Sequence, residues 1–197
     1  MKKVIYLVFS FLCINSYSQP LATYHDNCTS DSLISRSKNI SKILFELINE
    51  YRDEKGLSQL TIDPDGNLPC EIHNKYIYEN SHKGNSHHEN NKKNSFYQGT
   101  HCWDRYQKAN TEIIMKTNFE AYQYNQNPWL QRTDRDIATH LLNGWKRSPS
   151  HNGAILTPEF NYISGSANLF LIHILTGSKY LPNGYNFTYL ATYTFYK

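Results

Sequence analysis

Apolar residues first recur at helical spacing at Ile40, Ile43, Leu44, Leu47, Ile48 and Tyr51. These positions form one stripe and predict an amphipathic helix. Gly56 follows as a fitting residue just past its end. Asp63-Pro64-Asp65-Gly66 signals a turn. A second helix is predicted over Glu71 to Glu79, with Ile72, Tyr76 and Ile77 on one side. Residues 80–101 are polar, with Phe96 and Tyr97 their large apolar groups, and predict a long exposed loop. A short helix is expected from Trp103 to Ala109. Another is expected from Arg135 to Lys146, where Ile137, Leu141 and Trp145 lie four apart, with Pro149 ending it or shaping the next turn. The last third changes period. Ile163 to Leu175 and Leu190 to Tyr196 predict strands, and Asn183-Gly184 between them predicts a hairpin. Helices followed by a mainly antiparallel sheet give the α+β class.

The N-terminus has a different character. Lys2 and Lys3 precede an apolar run from Val4 to Ile14, too short to span a bilayer comfortably. Ser16-Tyr17-Ser18 then places small residues before Gln19. This is the pattern of a secretory signal peptide, cleaved between Ser18 and Gln19. A lipobox around Cys13 is disfavoured by Leu12, which stands where a small residue is needed. The expected organisation is a signal peptide over 1–18, a flexible leader over 19–38 and one domain over 39–197. The mature protein is expected to work outside the cytoplasm, with no later transmembrane segment.

Charge and cysteines sharpen this picture. The formal net charge of +3 falls to about +1 when Lys2 and Lys3 leave with the signal peptide. No basic block remains, which argues against nucleic acid as a partner. Export leaves Cys28, Cys70 and Cys102. An oxidising compartment permits one bridge. A Cys70–Cys102 bridge would clip the polar loop and contribute about 3–4 kcal/mol if unstrained; the alternative is three unpaired thiols.

Three segments carry a resemblance. The first is Asn49-x-x-Arg52-x-x-x-Gly56-Leu57-x-x-Leu60 with Asp63 after it. The second is Ser86-His87-x-Glu89-Asn90, then Asp104-Arg105-Tyr106 and Thr111-Glu112-Ile113. The third is Trp145-x-x-Ser148-Pro149-x-His151-x-x-x-Ile155-Leu156, then Gly165-x-Ala167. Together they resemble the CAP superfamily (the SCP domain of cysteine-rich secretory proteins, antigen 5 and pathogenesis-related 1), in its bacterial branch. The resemblance implies an α-β-α sandwich with a central antiparallel sheet. It also implies a cleft of two His and two acidic residues that binds a divalent metal in several members. His87 matches the first His, Glu112 an acid and His151 the second His. Ser148 stands where some members have the second acid, so the implied set has three residues.

Two imidazoles and a carboxylate can hold Zn²⁺ with a fourth position open for water. No local metal motif such as His-Glu-x-x-His adds to this. The other histidines read as structural or solvated. His73, His140 and His173 are assigned to packing, and His82, His88 and His101 to solvent. Trp145 is assigned to the core, its indole N–H needing a partner. Arg52 is assigned a structural role beside a carboxylate.

Three function classes follow. The first is a non-catalytic secreted binding module, its cleft holding a divalent metal, a small apolar ligand or an extracellular protein partner. The second is a metal-dependent, peptidase-like hydrolase using a metal-bound water in the same cleft. Ser148 removes the obvious base for that chemistry, and Glu89, in the polar loop, is a weak substitute. The third is a serine or cysteine nucleophile enzyme, for which no Gly-x-Ser-x-Gly is present.

Overall fold

The computed structural model describes residues 30–80, 87–120, 133–173 and 185–197. The expected signal peptide, its Ser18–Gln19 cleavage site, Cys28, His82 and the Asn183-Gly184 turn lie outside the described residues. Residues Arg36–Lys197 form one compact unit.

Helix α1 (Ser30–Glu54) starts well before its apolar stripe, so residues 30–38 of the expected leader are helical. Ile40, Leu44 and Ile48 are buried along it. It ends as its sequence predicts. Gly56 adopts φ +72°, a conformation glycine takes without steric cost, while the Leu57 N–H returns to the Arg52 carbonyl at 3.0 Å. Next come β1 (Thr61–Ile62), a 3₁₀ turn over Pro64–Gly66 capped by Asp63, and α2 (Asn67–Glu79). The short α3 (Cys102–Arg105) leads into β2 (Thr111–Glu120). Helices α4 (Asp134–Arg147) and α5 (Pro149–Ile155) precede β3 (Tyr162–His173) and β4 (Tyr185–Tyr196). Thr133 caps α4 by accepting from the Asp136 N–H, and Pro149 opens α5, where its missing N–H costs nothing. Among the described residues, no helix is long and apolar enough to cross a membrane.

The sheet order is β1-β3-β4-β2. β4 lies antiparallel between β3 and β2, and β1 adds a short parallel pair at the β3 edge. Strand β2 has no counterpart among the elements expected from sequence. Its centre, Ile113-Ile114-Met115, is continuously apolar because the two faces of the sheet are both covered, and the period-2 signal is lost.

The alternation in β4 divides two environments. Leu190, Thr192 and Thr194 face α2: Leu190 packs with Tyr76, Ile77 and Ile114, Thr192 donates to Asn74 Oδ1 at 2.6 Å, and Thr194 lies against Cys70. Tyr193 faces the other way, donating to the Ser41 carbonyl of α1 at 2.8 Å and meeting Trp145 of α4 edge-on at 5.6 Å. Helices therefore cover both faces of the sheet, and the fold is an α+β sandwich. Gly165 of β3 lies directly under the Tyr193 ring, and a Cβ there would collide with it.

Cys70 and Cys102 are both buried free thiols, the unpaired alternative that the sequence left open. Burial pushes the Cys70 thiol up to about 12 and the Cys102 thiol up to about 11. Two other details depart from expectation, at Trp145 and Arg52. The indole N–H of Trp145 has no hydrogen-bond partner among the described residues. Arg52, fully buried, pairs with no carboxylate among the described residues. Its guanidinium donates to the carbonyls of Ser58, Ile155, Thr157 and Phe160 at 2.6–3.3 Å, tying the end of α1 to the turn after α5.

Candidate functional site

Glu112 is the second residue of β2 and pairs in register with Thr194, so its side chain projects toward α2. That register, with helix α3 just before it, sets Glu112 beside Arg105. Arg105 Nη2 donates to Glu112 Oε2 at 2.5 Å, a charge-assisted bond between two buried side chains. The same guanidinium reaches the carbonyls of Gly99, Thr100 and His87 at 3.3–3.5 Å. It thus holds the loop that presents His87 as well as the acid that meets it.

His87 Nδ1 lies 3.1 Å from Glu112 Oε1, and half of its side chain is exposed. The His151 ring, on α5, lies 6.3 Å from that of His87. Tyr51 of α1 steadies α5 by donating to Asn152 Oδ1 at 3.1 Å. The three residues singled out by resemblance therefore meet, from a loop, a strand and a helix. Ser148 is at the start of α5, where its hydroxyl bonds that of Ser150 at 3.2 Å.

Burial alone would raise the Glu112 carboxyl. The His87 hydrogen bond and the positive charges of His73 and Arg105 more than offset this and hold it below the usual carboxylate range. His151 is lowered by burial, and further by the like charge of His87.

Behind Glu112 lies a layer that the sequence alone does not bring together. Glu89, expected in a mobile, exposed loop, is fully buried. Its Oε1 lies 2.8 Å from His73 Nδ1, and its Oε2 accepts from the Gln98 N–H at 2.6 Å. Its backbone N–H bonds the Thr100 carbonyl at 3.0 Å. His73 is also fully buried. Its Nε2 has no hydrogen-bond partner among the described residues and lies 3.8 Å from Glu112 Oε1. The order is His73, Glu89, Arg105, Glu112, His87: two acids, one guanidinium and two imidazoles, mostly out of water. The signal for it is present as Arg105 and Glu89 in the second motif, but sequence spacing does not reveal which charges fold inward.

This arrangement does not supply the expected metal ligand set. Both oxygens of Glu112 are engaged, one by Arg105 and one by His87, and the guanidinium places a positive charge against the carboxylate that would have to meet a cation. Among the described residues, no three His, Cys, Asp or Glu side chains are arranged to hold a metal ion.

In front of Glu112 is a cavity of about 260 Å³, lined by His87, His88, His101, Cys102, Trp103, Asn110, Thr111 and Glu112. Its rim is aromatic. The His101 ring stacks on Trp103 at 4.6 Å and 15°, and His88 meets His101 edge-on at 4.7 Å. Trp103 is 51% exposed. The two histidines assigned to solvent thus belong to one ring cluster at the mouth of the site.

Comparison with known proteins agrees with this fold. Solved structures similar to the chain include three bacterial proteins. An outer surface protein from Borrelia burgdorferi is 20% identical, with a TM-score of 0.44, over 82% of this chain and 95% of that one. An extracellular protein containing an SCP domain from Bacillus anthracis is 17% identical, with a TM-score of 0.52, over 86% of this chain. A cysteine-rich secretory protein from Staphylococcus aureus is 15% identical, with a TM-score of 0.37, over 82% of this chain. The chain spans 44% of the Bacillus protein and 40% of the Staphylococcus protein. No curated protein matches the sequence. The model of the cysteine-rich secretory protein family matches residues 45–168, a stretch that runs from the buried face of α1 through Glu112 and His151 to β3, and the chain therefore belongs to the CAP family.

Proposed function

We propose that this protein is a secreted, non-catalytic binding domain whose polar cavity beside Glu112 takes up a small ligand. The observation that supports it is the cavity wall itself. Glu112 is held by Arg105 and His87 before any ligand arrives, next to an open volume of about 260 Å³. Pre-positioned polar groups lower the ordering cost of binding. Export is supported by the N-terminal pattern of Lys2, Lys3 and the Val4–Ile14 run, and by the extracellular description of the Bacillus relative.

The lining favours a polar ligand over the apolar one the resemblance allowed, since it brings three imidazoles, an amide and a carboxylate beside one indole and one thiol. The hydrolase alternative has no specific observation in its favour. Arg105 competes for the carboxylate that a metal-bound water would need, and Glu89 is too deeply buried to reach a substrate as a base.

The test is a titration of the purified, isotope-labelled chain with a small polar fragment set, read by amide and indole NMR shifts. Saturable shifts at Trp103, Asn110 and Thr111, without turnover of any fragment, are the expected result. Shifts absent from those residues, or hydrolysis of ester or amide fragments that stops in His87→Ala, would overturn the reading. The mass of the mature protein, expected to begin at Gln19, tests export.

A further inference from the structure

We infer that the cavity beside Glu112 is a subsite for one neutral sugar ring, stacked on Trp103. This assignment rests on the binding-domain reading and names its ligand class.

Size is the first argument. Ligand sites for drug-sized molecules occupy about 300–1,000 Å³. A cavity of about 260 Å³ falls just short of that range and suits a single six-membered ring with its substituents.

Charge is the second. Glu112 is the one carboxylate of the lining, and Arg105 neutralises it from behind at 2.5 Å. The pair leaves little net field to favour a cation or an anion. A neutral ligand is what this wall leaves unpenalised.

The third argument is the mixture of surfaces. Trp103 stacks on His101 and is half exposed, which restrains its plane while leaving surface available. Large aromatic groups offer rigid contact area at small entropic cost. Asn110 and Glu112 lie on one side of the strand entry and bring an amide and a carboxylate to the lining, where Glu112 keeps lone pairs beyond those its partners use. A pyranose matches that combination. Its C–H face lies on an indole, and its hydroxyl edge both donates and accepts.

The experiment uses the purified full chain with cellobiose, N-acetylglucosamine, glucuronate and glucosamine, observed by saturation-transfer NMR at millimolar sugar. Expected are transfer to the ring C–H protons of a neutral sugar, at least tenfold weaker affinity in Trp103→Ala, and binding retained in Trp103→Phe. The charged sugars should bind at least fivefold more weakly. Because Trp103 is exposed, the variant should keep the wild-type Tm. Preference for glucuronate or glucosamine, abolished by Trp103→Ala, would overturn the neutral-sugar assignment and leave the binding cavity standing. No transfer from any of the four sugars while the polar fragments still shift Trp103 would overturn it in the same way. Silence from sugars and fragments alike would overturn both.

Discussion

Arg105 donates to Glu112 at 2.5 Å, with both side chains almost wholly out of water. Breaking a buried pair by removing one partner leaves the other charge uncompensated. Arg105→Met should therefore lower the unfolding free energy by about 3–5 kcal/mol. Adding Glu112→Gln should recover part of that loss, because the stranded charge is then gone. Urea unfolding of the single and double variants measures this, and equal, additive losses would show that the two side chains are not coupled.

The site should also set the acid limit of the fold. Glu112 is held below its ordinary value of 4.5, so its contribution is complete above that pH and is lost as pH falls below it. His151 is held below its ordinary 6.5, so the folded state resists a proton that the unfolded chain accepts. This too lowers stability as pH drops below about 6.5. The Tm should decline from pH 7 toward pH 5 and more steeply below 4.5. In an NMR titration, His151 should titrate below 6.5 and move upward in His87→Gln, which removes the like charge. A midpoint unmoved by that change would show that His87 does not act on His151.

The two thiols should be silent until the protein unfolds. With Cys70 raised to about 12 and Cys102 to about 11, almost no thiolate exists at neutral pH. Iodoacetamide should leave both unlabelled in the native protein. In urea without reductant both should be alkylated, as peptide mass spectrometry would read. Failure to label them in urea would mean they are bridged.

Arg52 should behave as a structural tie. Arg52→Ala would leave four carbonyls short of a donor and should cost about 2–4 kcal/mol. Chemical denaturation checks the magnitude. Chemical shifts of Trp103 and Thr111 should be unchanged, since Arg52 holds α1 to the turn beyond α5 and not the cavity.

Much of this architecture is readable from local pattern. The α1 stripe, Gly56, the four-residue spacing of Ile137, Leu141 and Trp145, and the alternation in Leu190–Tyr196 each report one buried face. β2 is not readable, because Ile113 and Ile114 are buried on opposite faces and erase the alternation. At the site, His87, Glu112 and His151 are found through resemblance, as their separation in sequence conceals their meeting. Glu89 escapes local pattern for a physical reason. A charged loop residue normally stays solvated, and only the tertiary partners His73, Arg105 and Gln98 make its burial tolerable.

The strand order has a consequence for how the chain comes together. β2 and β3 never touch as neighbours; each pairs with β4, which follows both in sequence. During synthesis from the N-terminus, no two of the long strands can form their native ladder until residues 185–196 exist. Such distant pairing is slow. The half-made chain keeps Ile113, Ile114 and Leu169 without their β4 partners, and the two-residue β1–β3 pair is the one ladder among the described strands that does not wait for them. Residues 185–196 are therefore the closing element, and a lesion there should leave β2 and β3 unjoined.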